Sequence, residues 1–367
     1  MAALLGGSQP ADAATVVTVS PTFTYVATDG GNGGYEAFPD VTRLADGRLM
    51  TVFYEGYTHI SPPTASYPNG GRVMYATSSN EGASWSAPAV LYDTSQDDRD
   101  PSITQLADGR LLSTYFTYNG GGLGTYIVES SNGGATWSAP RQLAPSPYYV
   151  SAPVRRLSTG RLALGLYSEP VGQTAHGAVT LSDDGGATWT SPIDIPNSSG
   201  ANLDAETDLI ELKNGNLWAL QRSSGSPAQS SLSTDRGESW SDSQSLGFIA
   251  HSPYLLRTRH DGMILLGYRG YDESGHGYTA LRYSLDECAT WSSPISVDWD
   301  CIGAYPSMVN LNDGSVLITY YEEGGGSNIR ARTISITGLP EPSSIAMLVT
   351  GIVGLVCYAW RKGKAVR

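Results

Sequence analysis

Cysteine and charge are both scarce in this chain. Only Cys288, Cys301 and Cys357 occur in 367 residues, too few for a disulfide scaffold, and no pair has zinc-ligand spacing. Charged residues make up 16% and the formal net charge is −13. Without a basic face the chain is no phosphate-backbone binder, so nucleic acid is set aside as a partner. The 43 Gly and 21 Pro follow no Gly-X-Y period, which excludes collagen. With 22 Tyr and 8 Trp beside them, coiled coil and wholesale disorder are excluded too. Many short strands joined by turns are what this composition describes. The length admits two domains or one large all-β domain.

The two ends differ from the middle. Leu339-Pro340-Glu341-Pro342-Ser343-Ser344 precedes an uncharged, mainly apolar run over residues 345–360, then Arg361, Lys362, Lys364 and Arg367. The run is slightly short of the roughly 20 residues of a membrane span. A buried C-terminal helix is the alternative, but Gly351 and Gly354 interrupt it, and the terminal cations match the positive-inside pattern. This order resembles the PEP-CTERM sorting signal of exported bacterial proteins. The resemblance implies a membrane-associated hydrophobic helix, an exosortase-type sorting enzyme as partner, and a place in the cell envelope, at the cell surface or in the extracellular matrix. Residues 1–14 are read as the remnant of a signal peptide, Ala11-Asp12-Ala13 having the small-x-small look of a cleavage site, or as a disordered N-terminus.

Internal repeats decide the architecture. One octad recurs from Ser78 (SSNEGASW), Ser130 (SSNGGATW), Ser182 (SDDGGATW), Ser233 (STDRGESW) and Ser284 (SLDECATW), at spacings of 52, 52, 51 and 51 residues. Its third position is Asp or Asn, as an Asx-type turn requires. Its fifth is Gly in four of the five, where positive φ costs a side chain least. The closing Trp is read as beginning the next strand and packing between sheets. Each octad follows a pair of apolar strands joined by Asp46-Gly47, Asp108-Gly109, Thr159-Gly160, Asn214-Gly215 or Asp261-Gly262. A sixth pair is joined by Asp313-Gly314. Each full repeat is then four antiparallel strands, one propeller blade. The sixth ends after a third strand over residues 328–336 and takes an N-terminal strand, from residues 15–19 or 23–27, to close the ring. The expectation is an all-β, six-bladed β-propeller over residues 15–338, plus a C-terminal hydrophobic helix in residues 339–367.

Strand parity places the site. Both sets of turns lie on one face of the disk, so first-strand starts, near Ala37, Asp100, Ala152, Glu206, His251 and Tyr305, converge at the channel mouth on the other. Rim loops 55–66, 118–125, 167–176, 222–229 and 269–277 surround them. Glu206, Tyr305, Arg222 and Arg269 meeting at one spot, with Asp100, His59, His176, His251 and His276 around them, form a candidate site. Asp97, Asp98 and Asp100 are weighed as a Ca²⁺ site against a plain polar loop; the loop is preferred and no metal is expected.

Five octads of S-x-[DN]-x-G-x-x-W form resemble the Asp-box (BNR) sialidase superfamily. There a Tyr nucleophile is activated by a Glu, an Asp is acid/base, and three Arg grip the substrate carboxylate, an exception to two-carboxylate glycosidase chemistry. The segment from Glu206-Thr207-Asp208 to Arg222, the segment from Gly303-Ala304-Tyr305-Pro306 to Tyr321-Glu322, and Asp98-Arg99-Asp100-Pro101 are similar to family segments. The resemblance implies Tyr305 as nucleophile, Glu206 as its base, Arg222 as carboxylate clamp and Asp100 as substrate contact. Arg269 or Arg282 is the further clamp, Arg269 preferred at the rim. The family's first-blade Arg-Ile-Pro is Ala37-Phe38-Pro39 here, and the 55–66 loop has no Asp; its titratable candidates are Glu55 and His59. No cofactor is implied. The leading expectation is an exported sialidase-like glycosidase acting on sialic acid or another acidic sugar of a glycan. The alternatives are a lyase or other glycosidase using His59, His176 or His251 with Tyr305, and a non-catalytic propeller that binds glycans or proteins.

Overall fold

The computed structural model describes residues 15–28, 34–259, 262–323 and 327–338. The leader and sorting-signal expectations fall outside them, as do Cys357, His260 and Asp261. Among the described residues every regular element is a strand, and no helix is long and apolar enough to cross a membrane.

Six antiparallel sheets form the blades of a propeller. Blade one is Tyr35–Arg43, Leu49–Gly56, Arg72–Ser78 and Ala89–Tyr92, and blade two repeats it with Asp97–Gln105, Leu111–Tyr118, Gly122–Ser130 and Arg141–Pro145. Blade three has a broken inner strand: only Arg155–Arg156 pairs beside Leu162–Ser168, while Tyr148–Tyr149 pairs with the far end of that same strand. Blades four and five start at Thr207–Glu211 and His251–Arg257. Blade six consists of Ala304–Asn310, Val316–Tyr321 and Ile329–Thr337, and its outer edge is covered twice. Val16–Val19 pairs with residues 334–337 and Thr24–Ala27 with residues 329–331. Both N-terminal segments named from sequence therefore close the ring, supplying the fourth, outer strand of blade six and covering the edge of Ile329–Thr337.

The octads tie neighbouring blades together. In each, the Ser hydroxyl bonds the third-position side chain and accepts the fifth-position N–H, as Ser182 does with Asp184 and Gly186, both at 2.9 Å. The fifth residue has φ of +84, +89, +88, +92 and, at Cys288, +69. Its surface lies against the preceding blade: a Cβ on Gly82 would meet Leu317 of blade six, and one on Gly186 would meet Leu112 of blade two. The Trp does not start a strand; the fourth strands begin four residues later, at Ala89, Arg141, Ile193, Gln244 and Ile295. Its ring packs into the apolar layer between blades, as Trp189 does against the cluster of Leu112, Ile127 and Leu162. Cys288 and Cys301 are both free and buried.

Candidate functional site

The inner strands carry a repeated distortion at their channel-mouth ends. Register slips between Ala37 and Asp40, Arg99 and Ser102, His251 and Tyr254, and Ala304 and Ser307. Inside each bulge sits a non-glycine residue of positive φ immediately before a proline: Phe38 (+54), Asp100 (+47), Ser252 (+49) and Tyr305 (+43). Such left-handed residues cost on the order of 1–3 kcal/mol each and persist only where the surroundings over-determine them. The bulges correct the sequence reading by one residue in two blades. Phe38, not Ala37, and Ser252, not His251, take the repeating pre-proline position. Pro39, Pro101, Pro153, Pro253 and Pro306, together with the pre-proline residues, line a small cavity of about 30 Å³ in the channel.

Blade-to-blade hydrogen bonds hold this ring. Asp40 of blade one accepts from Ser307 Oγ of blade six (2.6 Å) and Ile103 N of blade two (2.7 Å). Asp208 of blade four takes Arg155 of blade three and Leu255 N of blade five (2.7 Å). These buried carboxylates are satisfied from both sides, which fixes the height and rotation of the first strands.

Glu206 and Tyr305, 99 residues apart in sequence, meet in the mouth. The Tyr305 hydroxyl donates to Glu206 Oε1 at 2.5 Å, and Arg222 Nη1 lies 2.9 and 3.0 Å from the two carboxylate oxygens. Ser252 N donates to Oε2 at 3.2 Å. Burial pushes the Glu206 carboxyl up, but the Arg222 charge and the Tyr305 and Arg222 hydrogen bonds outweigh it and hold it below its ordinary value. Tyr305 is pushed well above the ordinary phenol value by burial and by the Glu206 and Asp100 charges. The pair is therefore a neutral phenol donating to an ionised carboxylate, the arrangement a base-activated oxygen nucleophile needs. Arg269 stacks over the Tyr305 ring at 5.7 Å and donates through Nε to Gly303 O. Among the described residues no carboxylate lies within ion-pair distance of it.

Asp100 is buried, accepts from Ser151 Oγ at 2.5 Å and lies 3.9 Å from Arg99 Nη2. Its Oδ1, with Arg222 Nε, His251 Nε2 and Ser252 Oγ, is buried without a hydrogen-bond partner. Polar atoms left so are costly unless a ligand or water meets them. His251 lies beside Tyr271 (Nδ1 to Oη 3.2 Å), and burial together with the Arg222 and Arg269 charges lowers it to about 4. His59 is at the rim, its ring edge-on to Phe38 at 5.3 Å, and Phe38 packs on Tyr305 at 4.7 Å.

Other sequence candidates are engaged elsewhere. The Glu55 carboxylate pairs with Arg72 at 2.8 Å. Arg282 bonds Tyr268 Oη and lies over Phe248, in the layer between blades four and five. His176 faces Asp194 of its own blade, and His276 stacks on Trp299. Asp97 accepts from Tyr54 and Ser61, and Asp98 from Thr94, so the three aspartates do not converge. Three groups escaped the sequence reading. Arg99 runs beneath the mouth, its guanidinium 5.3, 5.4 and 5.6 Å from the rings of Phe38, Tyr54 and Phe116. Tyr35 and Glu323 stand beside His59. The Glu322-Glu323 doublet, just past the strand that ends at Tyr321, was the available signal: Glu323 reaches His59 while Glu322 pairs with Arg330.

Comparisons agree with this architecture. Residues 72–251 match the BNR repeat-like domain family. Over 190 residues the chain is 26% identical to the anhydrosialidase of Macrobdella decora, a stretch covering 44% of this chain and 23% of that protein. The chain thus spans about a quarter of the length of this curated relative. A protein of unknown function from Dyadobacter fermentans superposes with a TM-score of 0.71 at 22% identity, over 87% of this chain and all of the other. The NanB sialidase of Streptococcus pneumoniae gives 0.68 at 15% identity, covering 87% and 71%. The leech intramolecular trans-sialidase complexed with 2,7-anhydro-Neu5Ac gives 0.67 at 15%, over the same shares. Residues 72–251 are thus similar to a BNR repeat-like domain, and the chain shares the six-bladed β-propeller fold of solved sialidases.

Proposed function

We propose that the chain is a glycoside hydrolase of sialidase type, cleaving sialic acid or another acidic sugar from a glycan. The observation that carries the reading is the 2.5 Å hydrogen bond from Tyr305 to Glu206, set between two arginines. A neutral phenol is not repelled by an anionic sugar, and the ionised Glu206 accepts its proton as it attacks. Arg269, with no acidic partner among the described residues, supplies the charge for a substrate carboxylate. Arg222 is held by Glu206 and contributes mainly through that pair, while Asp100 Oδ1 is an acceptor for a sugar hydroxyl. The test is product analysis on a panel of acidic glycans. A free acidic sugar, or an anhydro form such as the 2,7-anhydro-Neu5Ac held by the leech trans-sialidase, supports the reading. An unsaturated sugar replaces it with a lyase, and binding without product replaces it with a glycan-binding propeller. We place the protein outside the cytoplasm of a bacterium, directed there by residues 339–367 through an exosortase-type enzyme and the membrane. Fractionation of cells expressing the chain behind a signal peptide checks this; wholly cytosolic, soluble protein contradicts it.

A further inference from the structure

We propose that Tyr35 and Glu323 form a hydrogen-bonded relay that keeps the His59 proton on Nδ1 and leaves Nε2 open as the acid/base atom of the site. The acid/base role rests on the hydrolase reading; the relay does not. Counting protons fixes its direction. Tyr35 has one hydroxyl hydrogen, and it is donated to Glu323 Oε1 at 2.7 Å, while Tyr321 donates to Oε2 at 2.5 Å. The Tyr35 oxygen, 2.8 Å from His59 Nδ1, can then only accept, so Nδ1 carries the hydrogen. The reverse direction requires a protonated carboxyl. Burial pushes Glu323 up, but His59, Tyr321 and Tyr35 together outweigh it and hold it down at about 2. The carboxylate also lies 3.8 Å from Nδ1, placed to stabilise the imidazolium.

The ring is fixed as well as the proton. Tyr35 and Phe38 meet its faces and edge at 5.8 and 5.3 Å, and Arg99 Nη1 donates to the His59 carbonyl. Besides Tyr35, Tyr321 and Glu323, the charged groups around it are Arg99 below and Asp100, whose carboxyl feels the His59 charge. The side chain remains 48% exposed, which leaves Nε2 reachable. His59 and Tyr305 both pack on the Phe38 ring, which brings the imidazole and the phenol to the same part of the mouth. The acid form is the imidazolium, which carries a second proton on Nε2. In the first step that proton passes to the glycosidic oxygen as its bond to the anomeric carbon breaks, leaving the neutral Nδ1–H ring. The Tyr305 oxygen bonds that carbon and its proton goes to Glu206. In the second step water bonds the anomeric carbon and yields a proton to Nε2. The Tyr305 oxygen leaves and recovers its proton from Glu206. Tyr35 and Glu323 are positioning residues in this scheme.

The test reads the tautomer without any substrate. The full chain is labelled with ¹⁵N-histidine, His59 is assigned from the signals lost in His59→Gln, and spectra are taken across a pH series up to the plateau at which the ring's ¹⁵N shifts no longer change. The expected result is protonated Nδ1 and bare Nε2 in the wild type, shifting toward protonated Nε2, the form favoured by free histidine in water, in Tyr35→Phe. A wild-type His59 with the hydrogen on Nε2 overturns the relay, whether or not any variant folds. A tautomer unchanged in Tyr35→Phe overturns it too. Where an acidic glycan is cleaved, Tyr35→Phe lowers kcat about tenfold or more with KM little changed, and unchanged kcat overturns the acid/base role. Failure to cleave any acidic sugar removes the hydrolase reading and leaves the tautomer result standing.

Discussion

The two faces of the propeller are made from the same repeats under opposite constraints. On the turn face the octads keep one chemistry in five blades: a Ser–Asx hydrogen bond and a positive φ at the fifth residue. At the channel mouth the corresponding residues of the six blades are Phe38, Asp100, Ala152, Glu206, Ser252 and Tyr305, no two alike. Repetition answers a requirement that recurs at each blade junction, where the chain must turn sharply and present almost no side chain to its neighbour. Variety answers a requirement that arises once, where six strand ends surround one ligand. Both faces use left-handed backbone. On the turn face glycine relieves it in four blades, whereas at the mouth aromatic, acidic and hydroxyl residues carry it, and strain of that kind accompanies functional positions.

The sharpest way to break this comparison is at the mouth. Tyr305→Phe, Glu206→Gln and the double variant should each lose roughly 10³-fold or more in kcat/KM on the glycan the wild type cleaves, and by similar amounts, because the two groups act as one unit. Full activity in Tyr305→Phe would remove the nucleophile. Arg269→Ala should raise KM by about 10- to 100-fold, the worth of a charge-assisted hydrogen bond, for a substrate bearing a carboxylate and not for its ester or amide. Equal losses on both substrates would show that Arg269 supports the Tyr305 ring rather than the ligand.

The turn face should answer in stability. Gly186→Ala places a Cβ 3.3 Å from Leu112 at a φ of +88, and should cost about 1–2 kcal/mol in denaturant unfolding while kcat per folded molecule is unchanged. A loss of activity beyond the loss of folded protein would show that the faces are coupled. The smallest effect is one of pH. His251, lowered from 6.5 to about 4 by burial and by the Arg222 and Arg269 charges, stays neutral in the fold where the unfolded chain would be protonated. Its contribution to stability is complete above pH 6.5 and is lost as the pH falls toward 4. Imidazole titration by NMR should put its midpoint near 4, and His251→Gln should lessen the acid sensitivity of unfolding over that window.

Much of this was legible in the sequence, for reasons that differ by region. Octad spacing, the Asp-Gly and Asn-Gly hairpins and the count of six strand pairs against five octads determined the blade number and the need for an N-terminal partner. Those are local signals: a turn states its geometry in two or three residues, and strand alternation carries it to the next turn. The same parity brought Glu206, Tyr305, Arg222 and Arg269 to one mouth. Where it failed, a bulge had intervened. One extra residue moved the mouth position from Ala37 to Phe38 and from His251 to Ser252, and alternation cannot announce where it will be interrupted. Local turns set some charge pairs, as in Asp46–Arg48 and Asp108–Arg110, but the partners of the charges around the mouth were decided by tertiary structure. Arg72 lies beside Glu55 along a hairpin, while Glu323 and Tyr35 reach His59 from blades six and one across the seam where the ring closes. An ion pair or relay of this kind joins residues up to 288 positions apart. Its members are selected by which long side chains fit the space between two packed sheets, a property that no stretch of sequence contains.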